Sequence, residues 1–344
     1  MATDRDATSV PPADPAPPSS LASQAAAAHV PVMRDRILDL LAPALTGHDP
    51  RPRFHVDGTT GMGGHAEAVL ERFDRAELIG IDRDPQALEL AGARLQRFGD
   101  RVHLVQAVYS ELPQVLDRLG IDRIDSMLLD LGLSSLQIDR RERGFSYSTD
   151  APLDMRMGPD TPLTAADVVN TYSAAELARV LGSYGEEKFA DRIAQRIVAA
   201  REEQPFERSG RLVDVIAAAI PMAVRAKSTG HPAKKSFQAL RIEVNSELEA
   251  LDRVLPAALD ALAVGGRIAV LAYHSLEDRR VKEAFREATT DRAPANLPMV
   301  PDHLRAQFRL VTRGAEKPSP DEVALNPRAA SARLRVVERI RESA

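Results

Sequence analysis

The side chains best placed for chemistry are acidic and stand at the ends of apolar runs. Asp57 closes FHV at 54–56, Asp82 closes ELIGI at 77–81, and Asp130 closes IDSMLL at 124–129. Each run reads as a buried strand, and open parallel sheets bind ligands beyond the carboxyl ends of their strands. Glycines at 58, 61, 63 and 64 follow Asp57, and Ala66, Val69 and Leu70 then take up helical spacing. Strand, glycine turn and helix bring a main chain close to a nucleotide-like ligand at a helix N-terminus. A side chain in such a turn would strike the ligand or forbid the dihedrals. A carboxylate at Asp82 can accept both hydroxyls of a ribose; it can also cap the next helix, for which Asp84 is better placed. Tyr109, just past the run 101–107, is either a ring against an adenine or an ordinary half-buried tyrosine. His274 follows RIAVLAY at 267–273 and is either an acid–base group or a structural hydrogen bond at a strand end.

These groups need a scaffold, and the pattern supplies one. The runs 54–57, 77–82, 101–107, 124–130 and 267–273 predict a parallel α/β sheet whose rim carries Asp57, Asp82 and Asp130. Apolar residues in 29–45 predict a short helix near the glycine turn. Pro85 fits the first turn of a helix carrying Leu88, Ala91 and Leu95. From about Arg140 strands give way to helical segments at 164–172, 174–181, 186–200 and 212–220, one of them opened by a capping box of Ser173 and Glu176. The stretch 141–227 therefore predicts an all-helical domain inserted into a sheet domain of 29–140 and 228–344. The segment 225–241 carries Arg225, Lys227, Lys234, Lys235 and Arg241 and no acid. It reads as a loop, either phosphate-contacting or a solvated linker. Apolar steps of three and four from Phe237 to Leu262 predict a long helix, kinked or divided at Pro256 and ended by Gly265 and Gly266. The stretches 308–312 and 331–340 suit a terminal antiparallel pair.

Composition narrows the chemistry further. The 344 residues are 44% hydrophobic and 28% charged, enough for one large domain or two smaller ones. A net charge of −5 confines any nucleic-acid contact to local basic patches. With no cysteine there is no disulfide, thiolate metal site or cysteine nucleophile. No His/Asp/Glu cluster has metal-ligand spacing. No apolar run reaches membrane-span length and no apolar leader opens the chain, so a cytoplasmic protein is expected. Residues 1–28, rich in Ala, Pro and Ser, predict a disordered tail.

Ordered blocks across the chain carry a resemblance. HVPVM (29–33), DGTTGMGGH (57–65), GIDRDPQAL (80–88), LLDLGLSS (128–135), PLDMRM (152–157), YGEEKFA (184–190), FQALRIEVNSELE (237–249), HSLEDRRVK (274–282) and NPRAASARLR (326–335) resemble the small-subunit ribosomal RNA cytosine-N4 methyltransferases of the RsmH (MraW) family. The resemblance implies a class I S-adenosylmethionine-dependent, Rossmann-like sheet domain with the inserted helical domain. It implies cofactor contacts at Gly63, Gly64, His65, Asp82, Tyr109, Asp130 and Gln137. It implies methyl transfer to N4 of a cytidine in the decoding region of 16S rRNA in the small ribosomal subunit. Tyr273 stands where the family usually has phenylalanine, and Ala330 replaces a frequent arginine. Two residues are candidates for the acceptor that helps the amine shed its proton: Asp130, which can instead serve the cofactor alone, and His274. Carbon-5 methylation is a poor fit because it needs a covalent nucleophile, usually cysteine. A nicotinamide oxidoreductase, using Gly61, Gly63 and Ala66 as a loose GxGxxA, and an RNA-binding factor with a vestigial pocket are the rival readings.

Overall fold

The computed structural model describes residues 31–47, 50–159, 161–227, 230–293 and 300–342. The predicted disordered tail lies outside them. The elements run α1 (Arg34–Leu45), β1 (Arg53–Asp57), α2 (Gly64–Arg72), β2 (Ala76–Asp82), α3 (Pro85–Leu95), β3 (Val102–Gln106), α4 (Leu112–Leu119), β4 (Ile124–Asp130) and α5 (Ser135–Asp139). Then come α6 (Ala165–Thr171), α7 (Ala174–Gly185), α8 (Ala190–Glu203), α9 (Ser209–Ala219), α10 (Met222–Arg225), α11 (Lys234–Asn245), α12 (Glu247–Ala261), β5 (Leu262–Ala272), α13 (Ser275–Ala288), β6 (Phe308–Leu310), α14 (Pro320–Leu325) and β7 (Arg333–Arg339).

The strands form one 7-stranded sheet in the order β3-β2-β1-β4-β5-β7-β6. β1 to β5 are parallel, and β7 inserts antiparallel between β5 and β6. The central strands β2, β4 and β5 are largely buried on both faces, which is why they read as apolar runs rather than as alternation. Val56, Ile79, Ile81, Met127 and Leu129 face a core closed by Leu112 and Val115 of α4, Val254 and Leu255 of α12 and Phe285 of α13. Leu78 packs on Ala66 and Leu70 of α2, and Leu128, Ala269 and Leu271 on the α1 side. Because β1, β2 and β4 run parallel, their terminal aspartates emerge along one rim.

The helical insertion spans α5 to α11 and has a core of its own. Leu177, Val180 and Leu181 of α7 meet Ile193 and Ile197 of α8, Leu212 and Ile216 of α9, and Phe237, Leu240 and Val244 of α11. The capping box of Ser173 and Glu176 opens α7 as expected, and an equivalent box of Thr164 and Asp167 opens α6.

Three local expectations are corrected. The long helix divides at Ser246, whose φ of 49° is left-handed, and not at Pro256, which lies inside α12. Buried Asn245 forces the break: its Oδ1 accepts the Met157 N–H at 2.8 Å and its Nδ2 donates to the Met155 carbonyl at 2.7 Å. Pro256 is exposed, and the carbonyl it leaves without a donor, that of Asp252, belongs to an exposed residue that water can satisfy. Gly265 and Gly266 do not end the helix; α12 stops at Ala261 and the glycines lie within β5, where its register with β4 shifts. Lys234, Lys235 and Arg241 lie on α11 rather than on a loop.

Candidate functional site

A cleft of about 730 Å³ opens at the carboxyl rim of the sheet, lined by Asp57, Asp82, Asp130, the glycine turn and residues of the insertion. The turn is held by main-chain bonds. The Gly58 N–H donates to Leu128, Thr60 to Ile81 and Gly63 to Thr60, at 3.0, 3.1 and 2.8 Å. Gly63, at φ 80°, caps α2 in the left-handed region that favours glycine. It does not itself line the cleft, whereas Gly61, Gly64 and His65 do.

Each carboxylate is fixed differently. Asp82 accepts the Gly61 N–H at 2.7 Å and the Asp84 N–H at 2.9 Å, so the second strand tip is tied to the glycine turn. Burial raises its pKa against the pull of those two donors. Capping of α3 falls to Asp84, which accepts from Gln86 and pairs with Arg143. Asp57 is buried and accepts the Thr59 N–H at 3.1 Å. Burial pushes its carboxyl up to about 7; His65 and the Thr59 N–H oppose the rise, and Asp130 and Asp82 add to it.

Asp130 accepts the Tyr273 hydroxyl on Oδ1 at 2.8 Å, and its Oδ2 lies 3.5 Å from His65 Nε2. Its own N–H donates to Thr59 Oγ1 at 2.7 Å. Gln137 is buried at the cleft wall in a capping box with Ser134: its Oε1 accepts the Ser134 N–H at 3.0 Å, and its own N–H donates to Ser134 Oγ at 3.2 Å. The side-chain amide nitrogen of Gln137 is left for the cleft.

Tyr109 follows β3 and lines the cleft, its hydroxyl donating to the Glu247 carbonyl at 3.2 Å. His274 also lines it, but as the cap of α13. Its Nδ1 accepts the Glu277 N–H at 3.4 Å, and its Nε2 lies 3.0 Å from Glu277 Oε1. Burial works against ionisation of Glu277, yet His274, Arg241 and the Tyr273 N–H together hold its pKa below the usual value.

Several cleft residues have no local signal. Arg241 does not face outward to phosphate; it is half-buried and clasps Glu247 through Nε and Nη2 at 2.8 and 2.9 Å. Asn326, Arg328 and Ser331 arrive from the C-terminal NPRAAS block. They fall within the blocks FQALRIEVNSELE and NPRAASARLR, where only Arg241 carries a sequence expectation, that of a phosphate contact or a solvated linker. On the outer part of the cleft, Lys234 and Lys235 stand at the start of α11, and Lys235 Nζ donates to the Glu186 carbonyl at 2.9 Å.

The donor set fits a ligand with a ribose and positive charge. Carboxylates converge on one rim, and His65 presents a buried Nε2 with no hydrogen-bond partner. With a parallel sheet into which β7 inserts antiparallel beside β5, this defines a class I S-adenosylmethionine-dependent methyltransferase. The chain belongs to the MraW methylase family, whose sequence model matches residues 26–340. It is 65% identical over 315 residues to the ribosomal RNA small subunit methyltransferase H of Cutibacterium acnes, covering 92% of this chain and 93% of that one. It is 58% identical to the protein of that name from Nocardioides, over 92% of this chain and 98% of the other. The Renibacterium salmoninarum protein is 56% identical over 97% of this chain and 98% of its own.

Proposed function

We propose that this protein methylates 16S rRNA in the small ribosomal subunit, transferring a methyl group to the exocyclic N4 of one cytidine in the decoding region. The observation that carries the reading is that Asp82, Asp130 and the glycine turn share one cleft with Lys234, Lys235 and Arg328. A cofactor half and a polyanion-facing half meet there. The relatives' shared name supplies the substrate class. The helical insertion and the lysines of α11 are assigned to gripping RNA. No helix among the described residues is long and apolar enough to cross a membrane, and a ribosomal substrate supports a cytoplasmic activity.

When bound, S-adenosylmethionine supplies a methyl group on a sulfonium that is already a good leaving group. The protein then has to align and dehydrate rather than activate. Asp82 is placed to accept ribose hydroxyls, Tyr109 to face the adenine, and Gly64 and His65 to border the remainder. The amine of cytosine has its lone pair delocalised into the ring. A hydrogen-bond acceptor at its N–H localises that pair and takes up the proton as the new bond forms. Asp130 and the carbonyls of 131–135 are the acceptors at that end of the cleft. His274 accepts the Glu277 N–H on Nδ1 and its Nε2 lies 3.0 Å from Glu277 Oε1, and its part in this reading is to fix the start of α13. The target base must be unstacked to reach the cleft.

The test is to give the purified protein labelled S-adenosylmethionine with immature and mature small subunits and to map the modified base. N4-methylcytidine at one decoding-region position is the expected result. Label on another base, or tight NADH binding with no label transferred, overturns the reading. Asp130→Ala separates the two uses of that carboxylate: lost turnover with unchanged cofactor affinity makes it the proton acceptor, and lost affinity alone makes it a cofactor ligand.

A further inference from the structure

We propose that Tyr273 is a positioning residue of the methyl-transfer site, its hydroxyl holding the Asp130 carboxylate in the orientation the reaction uses. The inference rests on the proposed function and adds a residue to it. Asp130 ends β4, and its main chain is fixed by the Thr59 hydroxyl at 2.7 Å. That bond leaves the side-chain torsions free. A carboxylate whose side chain is 25% exposed at the edge of a cleft would otherwise sample several rotamers. The Tyr273 hydroxyl, 143 residues away in the chain, donates to Oδ1 at 2.8 Å and sets the plane of the group. Oδ2 is then turned toward His65 Nε2 at 3.5 Å.

Tyr273 is itself held from three sides, as a positioning residue must be. Its N–H donates to Glu277 Oε2 at 2.8 Å. Its hydroxyl binds Asp130. Its ring lies against Gly132, where a Cβ would stand 3.4 Å from Cδ2. Gly132 has a φ of 100°, a conformation a side chain would resist. The charged neighbours keep the phenol protonated: burial, Asp130, Glu277 and Glu322 all raise its pKa.

The experiment is a double-mutant cycle on the full chain, with small subunits as substrate and the unmodified protein as control. A control that fails to methylate sinks the proposed function and is distinct from failure of the positioning role. Given an active control, Tyr273→Phe lowers kcat/KM by roughly 3- to 10-fold, with the loss in kcat and the KM for the RNA substrate within about 2-fold of the parent. Its thermal midpoint stays within about 2 °C. In an Asp130→Ala background the same change costs less than about 2-fold, since Tyr273 acts through Asp130. Should that background be inactive, the kcat-against-KM split of Tyr273→Phe alone decides. Full activity in Tyr273→Phe, or a loss carried by the KM for RNA alone, overturns the proposal, and so does an equal loss in both backgrounds.

Discussion

Arg241→Met is the sharpest test of how the cleft floor is built. Arg241 ends the last turns of α11, Glu247 opens α12, and their bidentate pair closes across the left-handed residue Ser246. The two side chains are only 12% and 10% exposed, so solvent screens the pair little. Removing the guanidinium leaves the Glu247 carboxylate buried without a counter-ion and takes one cation from Glu277. Breaking one side of such a buried pair costs about 3–5 kcal/mol. Replacing both partners with apolar groups of similar size removes the stranded charge, so Arg241→Met with Glu247→Leu recovers most of that loss. Urea titrations of the parent, both single variants and the double variant measure the four corners. The Glu247 carbonyl also holds the Tyr109 hydroxyl, so cofactor affinity falls in Arg241→Met along with stability. A single variant within about 1 kcal/mol of the parent, or a double variant as unstable as Arg241→Met, refutes the assignment of a charge-compensating role.

Three further outcomes follow from the structure. Burial pushes His55 down from its ordinary 6.5 to about 3 while its Nδ1 stays 2.8 Å from Ser126 Oγ. The unfolded chain binds a proton that the folded one refuses, so this stability is full above pH 6.5 and is lost as pH falls toward 3. His55→Gln should flatten the acid slope of unfolding free energy by about 1.4 kcal/mol per pH unit, and an unchanged slope between pH 6 and 4 counts against it. Lys234→Glu with Lys235→Glu should weaken small-subunit RNA binding at least about 10-fold and reduce its salt dependence, with cofactor affinity unchanged in a calorimetric titration. Gly63→Ala should cost about 1 kcal/mol in thermal unfolding from its positive φ, yet leave cofactor affinity within roughly 3-fold because Gly63 is off the cleft wall.

The sequence by itself determined the sheet and the rim. Strands buried on both faces need unbroken apolar runs, and in a parallel sheet their last residues must share one edge. Asp57, Asp82 and Asp130 could therefore be placed together from spacing alone. Local bonding made the capping box at Ser173 legible for the same reason: its partners are three residues apart. Contacts made across the chain left no such trace. The division at Ser246 answers to Asn245 bonding Met155 and Met157, not to any helix-breaking residue, while exposed Pro256 is tolerated. Arg241, one of a run of cations in the sequence, is turned inward by Glu247. Tyr273 reads only as a departure from phenylalanine until the fold brings its hydroxyl to Asp130. Secondary structure follows from neighbours within a turn or two, but which polar groups end up buried together is decided only when distant segments close on one another and each must find a partner.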